Sequence, residues 1–179
     1  MFKGIIAALW DKNYDPSKIK PDTVFFLNGS ISSVNKRIEF YKYYGKKVFV
    51  DIDFISGLNP NEDSIRFLSD AGADGIITTK IRIYKQCQSM NTECVLRFFA
   101  LDSRAVERGI QQIISNKIRN IEILPGLVAP KIVMKIKPLV HKCDFIAAGL
   151  ISDDGDLATI KEYVDAVSTS SEKLWEVIW

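Results

Sequence analysis

The sequence predicts an α/β fold in which eight βα units close into a compact (β/α)8 barrel, one domain over residues 1–179. Three observations predict it. An apolar run ending in a polar or glycine turn recurs as VFFLNG from Val24, VFVDID from Val48, GIITTK from Gly75, VLRFFALD from Val95, IEILPG from Ile121, FIAAGL from Phe145 and AVSTS from Ala166, with starts 20 to 27 residues apart. That period accommodates one strand, one loop and one crossover helix. Several runs are continuously apolar, as a parallel sheet buried on both faces requires. Finally, no GxGxxG turn follows the first strand, which disfavours the open, doubly wound alternative. TIM-type barrels usually take about 250 residues, so this one needs short helices.

The first strand spans 4–9 and closes at Trp10-Asp11; Pro16 and Pro21 interrupt any helix after it. The second spans 23–27 and ends at Asn28-Gly29. Ser32 or Ser33 caps the next helix, whose apolar face is Val34, Ile38, Phe40 and Tyr41 and whose stop is Gly45. A third strand over 47–52 places Asp51 and Asp53 at i and i+2, on one face of a regular strand. Asn61 caps a helix carrying Ile65, Phe67 and Leu68, stopped at Gly72. Strand 75–77 leads to helix 80–90, and strand 93–99 to a helix capped by Ser103, with Val106, Gly109, Ile110 and Ile113 on one side. Strand 120–123 turns at Pro125-Gly126 into a helix over 130–140 carrying Ile132, Val133, Ile136 and Leu139. Strand 144–148 precedes a short helix opened by Asp154 or Asp156 and running through Tyr163; strand 166–167 precedes a last helix over 171–175.

Apolar residues make up 47% and charged residues 26%, with a net charge of +2, so polyanion binding by the chain as a whole is not indicated and a nucleic-acid role needs a local basic patch or several subunits. Cys87, Cys94 and Cys143 have no CxxC spacing and read as reduced thiols of a cytoplasmic protein. No apolar run approaches the roughly 18 residues of a membrane span, and the N-terminal apolar stretch reads as a strand. The single histidine, His141, sits near a helix end, which excludes histidine-based triads and multi-histidine zinc sites. The expectation is no resident metal and no cofactor.

In a barrel the site is built from the loops after the strands, and phosphate is often held by the loops after strands seven and eight. Here those loops read AAGLIS and STSSEKLW. Gly149 lets the backbone approach an anion, and Ser152, Ser168, Thr169 and Ser170 add hydroxyls and amides; turn-making and helix capping are the competing roles. Lys80, at a helix start where its charge opposes the helix dipole, and Arg97, inside an apolar strand, are candidate phosphate partners. Arg97 faces either a wet interior with an anion or a structural ion pair with Glu122 or Asp51. Asp51 and Asp53 suit a hydroxylated ligand, Mg²⁺ or acid–base work, and Glu122 and Gly126 stand at other strand ends.

The stretches FFLNGSIS from Phe25, GKKVFVDIDFISGL from Gly45, GADGIITTK from Gly72, RFFALDSRAVERGI from Arg97, IEILPGLV from Ile121, AAGLIS from Ala147 and AVSTSSEKLW from Ala166 carry a further signal. In that order and spacing the chain resembles the glycerol-3-phosphate-responsive antiterminator family. The resemblance implies a small TIM-type barrel that senses glycerol 3-phosphate, acts on an mRNA leader to prevent premature termination of glycerol-uptake and catabolism transcripts, and has no catalytic activity; it also implies that Asp53, Glu122 or Asp51, with Gly126, would take the hydroxyls of this polyol. Three positions depart from the family pattern: Asp51 where a histidine is common, Trp10 near a commonly basic position, and Ser30 where an aspartate is common.

Candidate RNA contacts are Lys42, Lys46 and Lys47, with Tyr41, Tyr43 and Tyr44 as stacking partners; Arg104 and Arg108; and Lys131, Lys135 and Lys137, of which Lys131 and Lys135 share a helix face. A homo-oligomer is compatible with this reading. The alternatives are a barrel isomerase, aldolase or glycerophosphodiesterase using Asp51, Asp53, Glu122 and a nucleophilic Lys80, and a metabolite-binding module with a protein partner.

Overall fold

Among the described residues the chain forms ten strands and six α-helices, and eight of the strands form a closed parallel barrel ordered β1-β10-β9-β8-β7-β6-β4-β2. The computed structural model describes residues 1–10 and 14–179, so Asp11, at the first strand end, lies outside the described residues. The barrel strands are β1 (Gly4–Leu9), β2 (Thr23–Phe26), β4 (Lys47–Asp51), β6 (Gly75–Thr78), β7 (Glu93–Phe99), β8 (Asn120–Leu124), β9 (Asp144–Ala148) and β10 (Ala166–Thr169). Two further strands, β3 (Gly29–Ser30) and β5 (Ile55–Ser56), were not foreseen and pair as a separate parallel sheet. At two residues each they are too short to show a periodicity.

Contacts group the chain into two compact units, residues 6–95 and residues 1–5 with 96–179. In the first, β1 pairs with β2 through Ile6↔Thr23 to Leu9↔Phe26, β2 with β4 through Val24↔Val48, and β4 with β6 through Val50↔Ile76. Val24, Phe25, Phe26, Val48, Val50, Ile76 and Ile77 are buried, so these strands show no polar alternation. Helices α1 (Val34–Tyr43), α2 (Glu62–Asp70) and α3 (Ile81–Ser89) bury Ile38, Ile65, Leu68, Ile83 and Cys87. Asn61 caps α2 as foreseen, accepting from the Ser64 amide at 2.9 Å. Ser33 sits at the start of α1 without capping it by its side chain; its hydroxyl bonds with that of Ser30 instead. Phe40 does not join the inward face, because two residues beyond Ile38 at 100° each carry it to the opposite side of the helix, where it is 48% exposed.

In the second unit, β7 pairs with β8, β8 with β9 and β9 with β10. Helices α4 (Ser103–Ser115), α5 (Ala129–Ile136) and α6 (Asp154–Ile160) cover them. The cap of α4 is Asp102, accepting from the Ala105 amide at 2.8 Å, and that of α6 is Asp153, accepting from the Asp156 amide at 3.0 Å, one residue earlier than Ser103 and Asp154. The helix after β8 begins as a 3₁₀ turn (Gly126–Val128) and ends at Ile136, giving way to a 3₁₀ turn (Lys137–Leu139) at Pro138, which has no amide to continue the ladder; Leu139 is exposed. The last helical segment is also a 3₁₀ turn (Glu172–Glu176). Gly109 of α4 lies against β7: a Cβ there would stand 2.1 Å from the Phe98 ring.

Candidate functional site

In the unit of residues 6–95, the polar groups gather where β4 and β6 end. The expectation that Asp51 and Asp53 share a strand face fails, because β4 stops at Asp51 and the chain enters a 3₁₀ turn (Ile52–Phe54). Asp51 caps that turn, its buried carboxylate accepting from the Asp53 amide at 3.1 Å. Asp53 reaches the loop after β6 instead. Its Oδ2 accepts from Thr78 Oγ1 (3.1 Å), the Thr79 amide (2.8 Å) and Thr79 Oγ1 (2.8 Å), while Oδ1 lies 3.0 Å from Lys80 Nζ. Burial opposes ionisation of Asp53, but the Thr79 amide and hydroxyl and the Lys80 ammonium outweigh it and hold the carboxyl below its ordinary value. The unusual placement of a cation at the start of α3 is thus met by a carboxylate within hydrogen-bond reach.

The unit of residues 96–179 carries the other two groups. Arg97 and Glu122 are directly opposed in the β7–β8 register, and Arg97 Nε donates to Glu122 Oε2 at 2.7 Å. Both side chains are buried, at 6% and 1% exposure. Of the readings open for Arg97, an ion pair with Glu122 is formed, and the same bond occupies a Glu122 oxygen expected to face a polyol. Register decides this, and register is invisible along a single strand.

The loops after β9 and β10 are tied to each other. Thr169 Oγ1 donates to the Ile151 carbonyl (2.8 Å) and accepts from the Ser171 amide (3.1 Å); Ser171 Oγ donates to the Ser152 carbonyl (3.1 Å). Trp175 Nε1 donates to the Thr169 carbonyl at 2.9 Å. Ser152 gives both its amide (2.8 Å) and its hydroxyl (3.1 Å) to Asp156 Oδ2, and that amide is the main reason the Asp156 carboxyl lies below its ordinary value. Asp156 was missed as a partner, although its i, i+4 spacing from Ser152 was visible. Gly149, at φ +74°, is followed by Leu150 at φ +59°, a pair of left-handed residues that sharply reverses the chain. The Gly149 carbonyl accepts from the Gly126 amide at 2.9 Å, and a Cβ on Gly126 would fall 2.4 Å from Ile151 Cδ1. Gly149 and Ser170 are exposed, whereas Ser168 and Thr169 are buried.

Of the candidate RNA-contacting lysines, Lys42 is taken up by Asp74, whose two oxygens it meets at 2.8 and 2.7 Å. Lys46 donates to the carbonyls of Ile19 and Pro21, and its burial lowers its pKa. Lys131 and Lys135 are exposed on α5. Arg37, which the sequence reading passed over, donates from Nη1 to the Asn28 carbonyl at 3.1 Å and stacks 4.0 Å above the Phe26 ring. Ser30 bonds to the hydroxyls of Ser32 and Ser33, and Trp10 is half exposed. Among the described residues, no three His, Cys, Asp or Glu side chains gather as a metal would need, and no helix is long and apolar enough to cross a membrane.

The family profile of the glycerol-3-phosphate responsive antiterminators matches residues 5–175. The chain belongs to this family. It is similar to a glycerol uptake operon antiterminator-related protein of Thermotoga maritima (47% identity, TM-score 0.93, covering 99% of this chain and 100% of that one). It is also similar to the glycerol uptake operon antiterminator regulatory protein of Listeria monocytogenes (26% identity, TM-score 0.84, covering 98% and 96%). The Escherichia coli protein YgcP, itself uncharacterized, is 30% identical over 96% of this chain and 91% of its own length. The orotidine 5′-phosphate decarboxylase of Pyrococcus horikoshii, at 14% identity, TM-score 0.62 and 93% and 88% coverage, shares the barrel fold alone.

Proposed function

We propose that this chain is a glycerol-3-phosphate-sensing antiterminator that binds an mRNA leader and regulates glycerol uptake genes from the cytoplasm. The observation that carries the ligand half is the cross-tied pair of loops after β9 and β10, which leaves Gly149 and Ser170 exposed beside a left-handed backbone reversal. Glycine backbone and nearby hydroxyls there suit a phosphate monoester. Thr169 and Ser152 shape that loop through their hydrogen bonds, and Ser168 is buried beside Thr169. Lys80 and Arg97 each already face a carboxylate, so binding leans on backbone amides and hydroxyls more than on free cations.

Ligand binding shifts the chain toward its RNA-binding form only through different affinity for the two forms. Calorimetry with glycerol 3-phosphate at millimolar concentration, paired with retention of a glycerol-operon leader RNA at rising salt, tests both halves. Heat of binding and salt-sensitive retention are expected; absence of both overturns the proposal. A second reading, a barrel enzyme on a phosphorylated substrate, draws on the Asp53–Lys80 pair. An ammonium 3.0 Å from a carboxylate is a poor nucleophile, and failure of borohydride to trap a carbonyl substrate on Lys80 would remove it.

A further inference from the structure

The outer side of α1 carries a run of aromatic rings that the barrel does not use. Phe40, Tyr43 and Tyr44 are exposed at 48%, 84% and 42%. They are not independent side chains. Buried Phe26 meets Tyr41 edge-to-face at 4.9 Å, Tyr41 meets Phe40 at 6.1 Å, Phe40 meets Tyr44 at 5.4 Å and Tyr44 meets Tyr43 at 5.3 Å, all with interplanar angles of 80° to 84°. Tyr41 is further held by its hydroxyl, which donates to the Tyr14 carbonyl at 3.1 Å. The core thus braces a row of rings out to the surface. Such preorganisation lowers the entropy lost when a flat ligand stacks on them.

Beside the rings lies a concavity of about 410 Å³ lined by Tyr14, Ser33, Lys36, Arg37, Phe40 and Tyr41. Residues 34–47 hold five basic side chains, Lys36, Arg37, Lys42, Lys46 and Lys47, against one acidic one, Glu39. Lys42 and Lys46 are engaged within the fold, but Lys36 and Lys47 are exposed. Lys36, Phe40 and Tyr43 follow one another on α1 at spacings of four and three, Tyr44 caps the helix end four residues after Phe40, and Lys47 opens β4 three residues later.

We propose that this outer face of α1, with the turn into β4, is a docking surface for single-stranded RNA, with unpaired bases stacking on Phe40, Tyr43 and Tyr44 and phosphates meeting Lys36 and Lys47. The inference rests on the reading that the chain acts on RNA and adds where, and in which strand state, the RNA is held. Sequence-tolerant stacking on braced aromatics next to basic side chains is the chemistry of unpaired-strand recognition. A second copy of the chain related by a two-fold axis fits less well, because it would set this basic segment against itself.

The test uses the full chain and a fluorescein-labelled, mixed-sequence 20-nucleotide single-stranded RNA, with duplex RNA of equal length as comparator, read by anisotropy with and without glycerol 3-phosphate. Tyr43→Ala with Tyr44→Ala is expected to weaken single-strand binding roughly ten- to hundred-fold, while Tyr43→Phe, which keeps the ring, binds as wild type. Lys36→Ala with Lys47→Ala is expected to reduce the salt slope by about two. Calorimetric binding of glycerol 3-phosphate should be the same in all variants, which also reports that they fold. If wild type retains RNA and the tyrosine variant retains it equally, or duplex is preferred, the α1 surface is wrong and the antiterminator reading stands. If wild type retains neither RNA, the α1 surface is overturned, and the antiterminator reading is decided by calorimetry with glycerol 3-phosphate and retention of the leader RNA. If sedimentation finds a wild-type dimer that the tyrosine variant dissociates, the surface belongs to a second copy and the RNA assignment is overturned.

Discussion

Replacing Glu122 with alanine is expected to cost far more than an ordinary polar substitution. Its carboxylate stands 2.7 Å from Arg97 Nε, with both side chains almost fully excluded from water. At an effective dielectric near 20, that contact is worth about 6 kcal/mol of gross attraction. Removing both charges from water consumes much of it, so the intact pair contributes little net stability. Deleting one partner is a different event: the guanidinium keeps its desolvation penalty and loses the Glu122 carboxylate, a cost of about 3–5 kcal/mol. Against a total stability of about 5–15 kcal/mol, Glu122→Ala should sharply lower the urea midpoint at pH 7. The paired change Arg97→Met with Glu122→Leu, which restores an apolar strand pair, should recover most of the loss. Urea denaturation followed by circular dichroism over the full double-mutant cycle measures the coupling. A Glu122→Ala cost below about 1 kcal/mol, the scale of a solvated pair, or losses that simply add in the double variant, would refute the argument that this pair is buried and interdependent.

Asp53→Asn tests the tie between the β4 and β6 ends. Because the folded carboxyl titrates below its ordinary value, its stabilisation is full above about pH 4 and is lost as pH falls through the lower, folded value. The gap in urea midpoint between wild type and Asp53→Asn should therefore be wide at pH 7 and narrow toward pH 2 to 3; an unchanged gap rejects the ionic tie. Thr169→Val removes a donor to the Ile151 carbonyl and an acceptor for the Ser171 amide. It should cost about 1–3 kcal/mol in thermal unfolding and lower glycerol 3-phosphate affinity in calorimetry; an unaltered affinity separates the tie from the site. Gly109→Ala drives a methyl to within 2.1 Å of the Phe98 ring, so a loss of about 1–3 kcal/mol is expected by differential scanning calorimetry, and a neutral result would mean that α4 shifts freely on β7.

Much of the barrel was legible because its signals are local. A run such as VFV before Asp51 is apolar at every position, and only burial on both faces suits that composition. Asn61 as a cap and Gly45 at φ +74° after α1 are read from one or two residues and their neighbours. Errors fell where local readings were finely balanced. Asp102 and Ser103 are both good caps, and the aspartate takes the role. Phe40 is apolar enough to be assigned to the core, but its angular position on α1 turns it out toward solvent.

By itself the sequence determined the βα period, the apolar strands, the family, and which chemical groups lie at the strand ends. Only the tertiary structure decided what those groups are bonded to. Arg97 and Glu122 are 25 residues apart and meet because β7 and β8 pair in one register. Asp53 leaves its strand face and crosses to Thr79 and Lys80 because β4 ends at Asp51 and the chain turns at Ile52–Phe54. Lys42 and Lys46, equal to Lys36 and Lys47 as letters, are consumed by Asp74 and by backbone carbonyls. The physical reason is common to all three. A residue's type sets which bonds it is able to make, whereas partners distant in sequence are set by strand register and loop path, which the chain acquires only on folding.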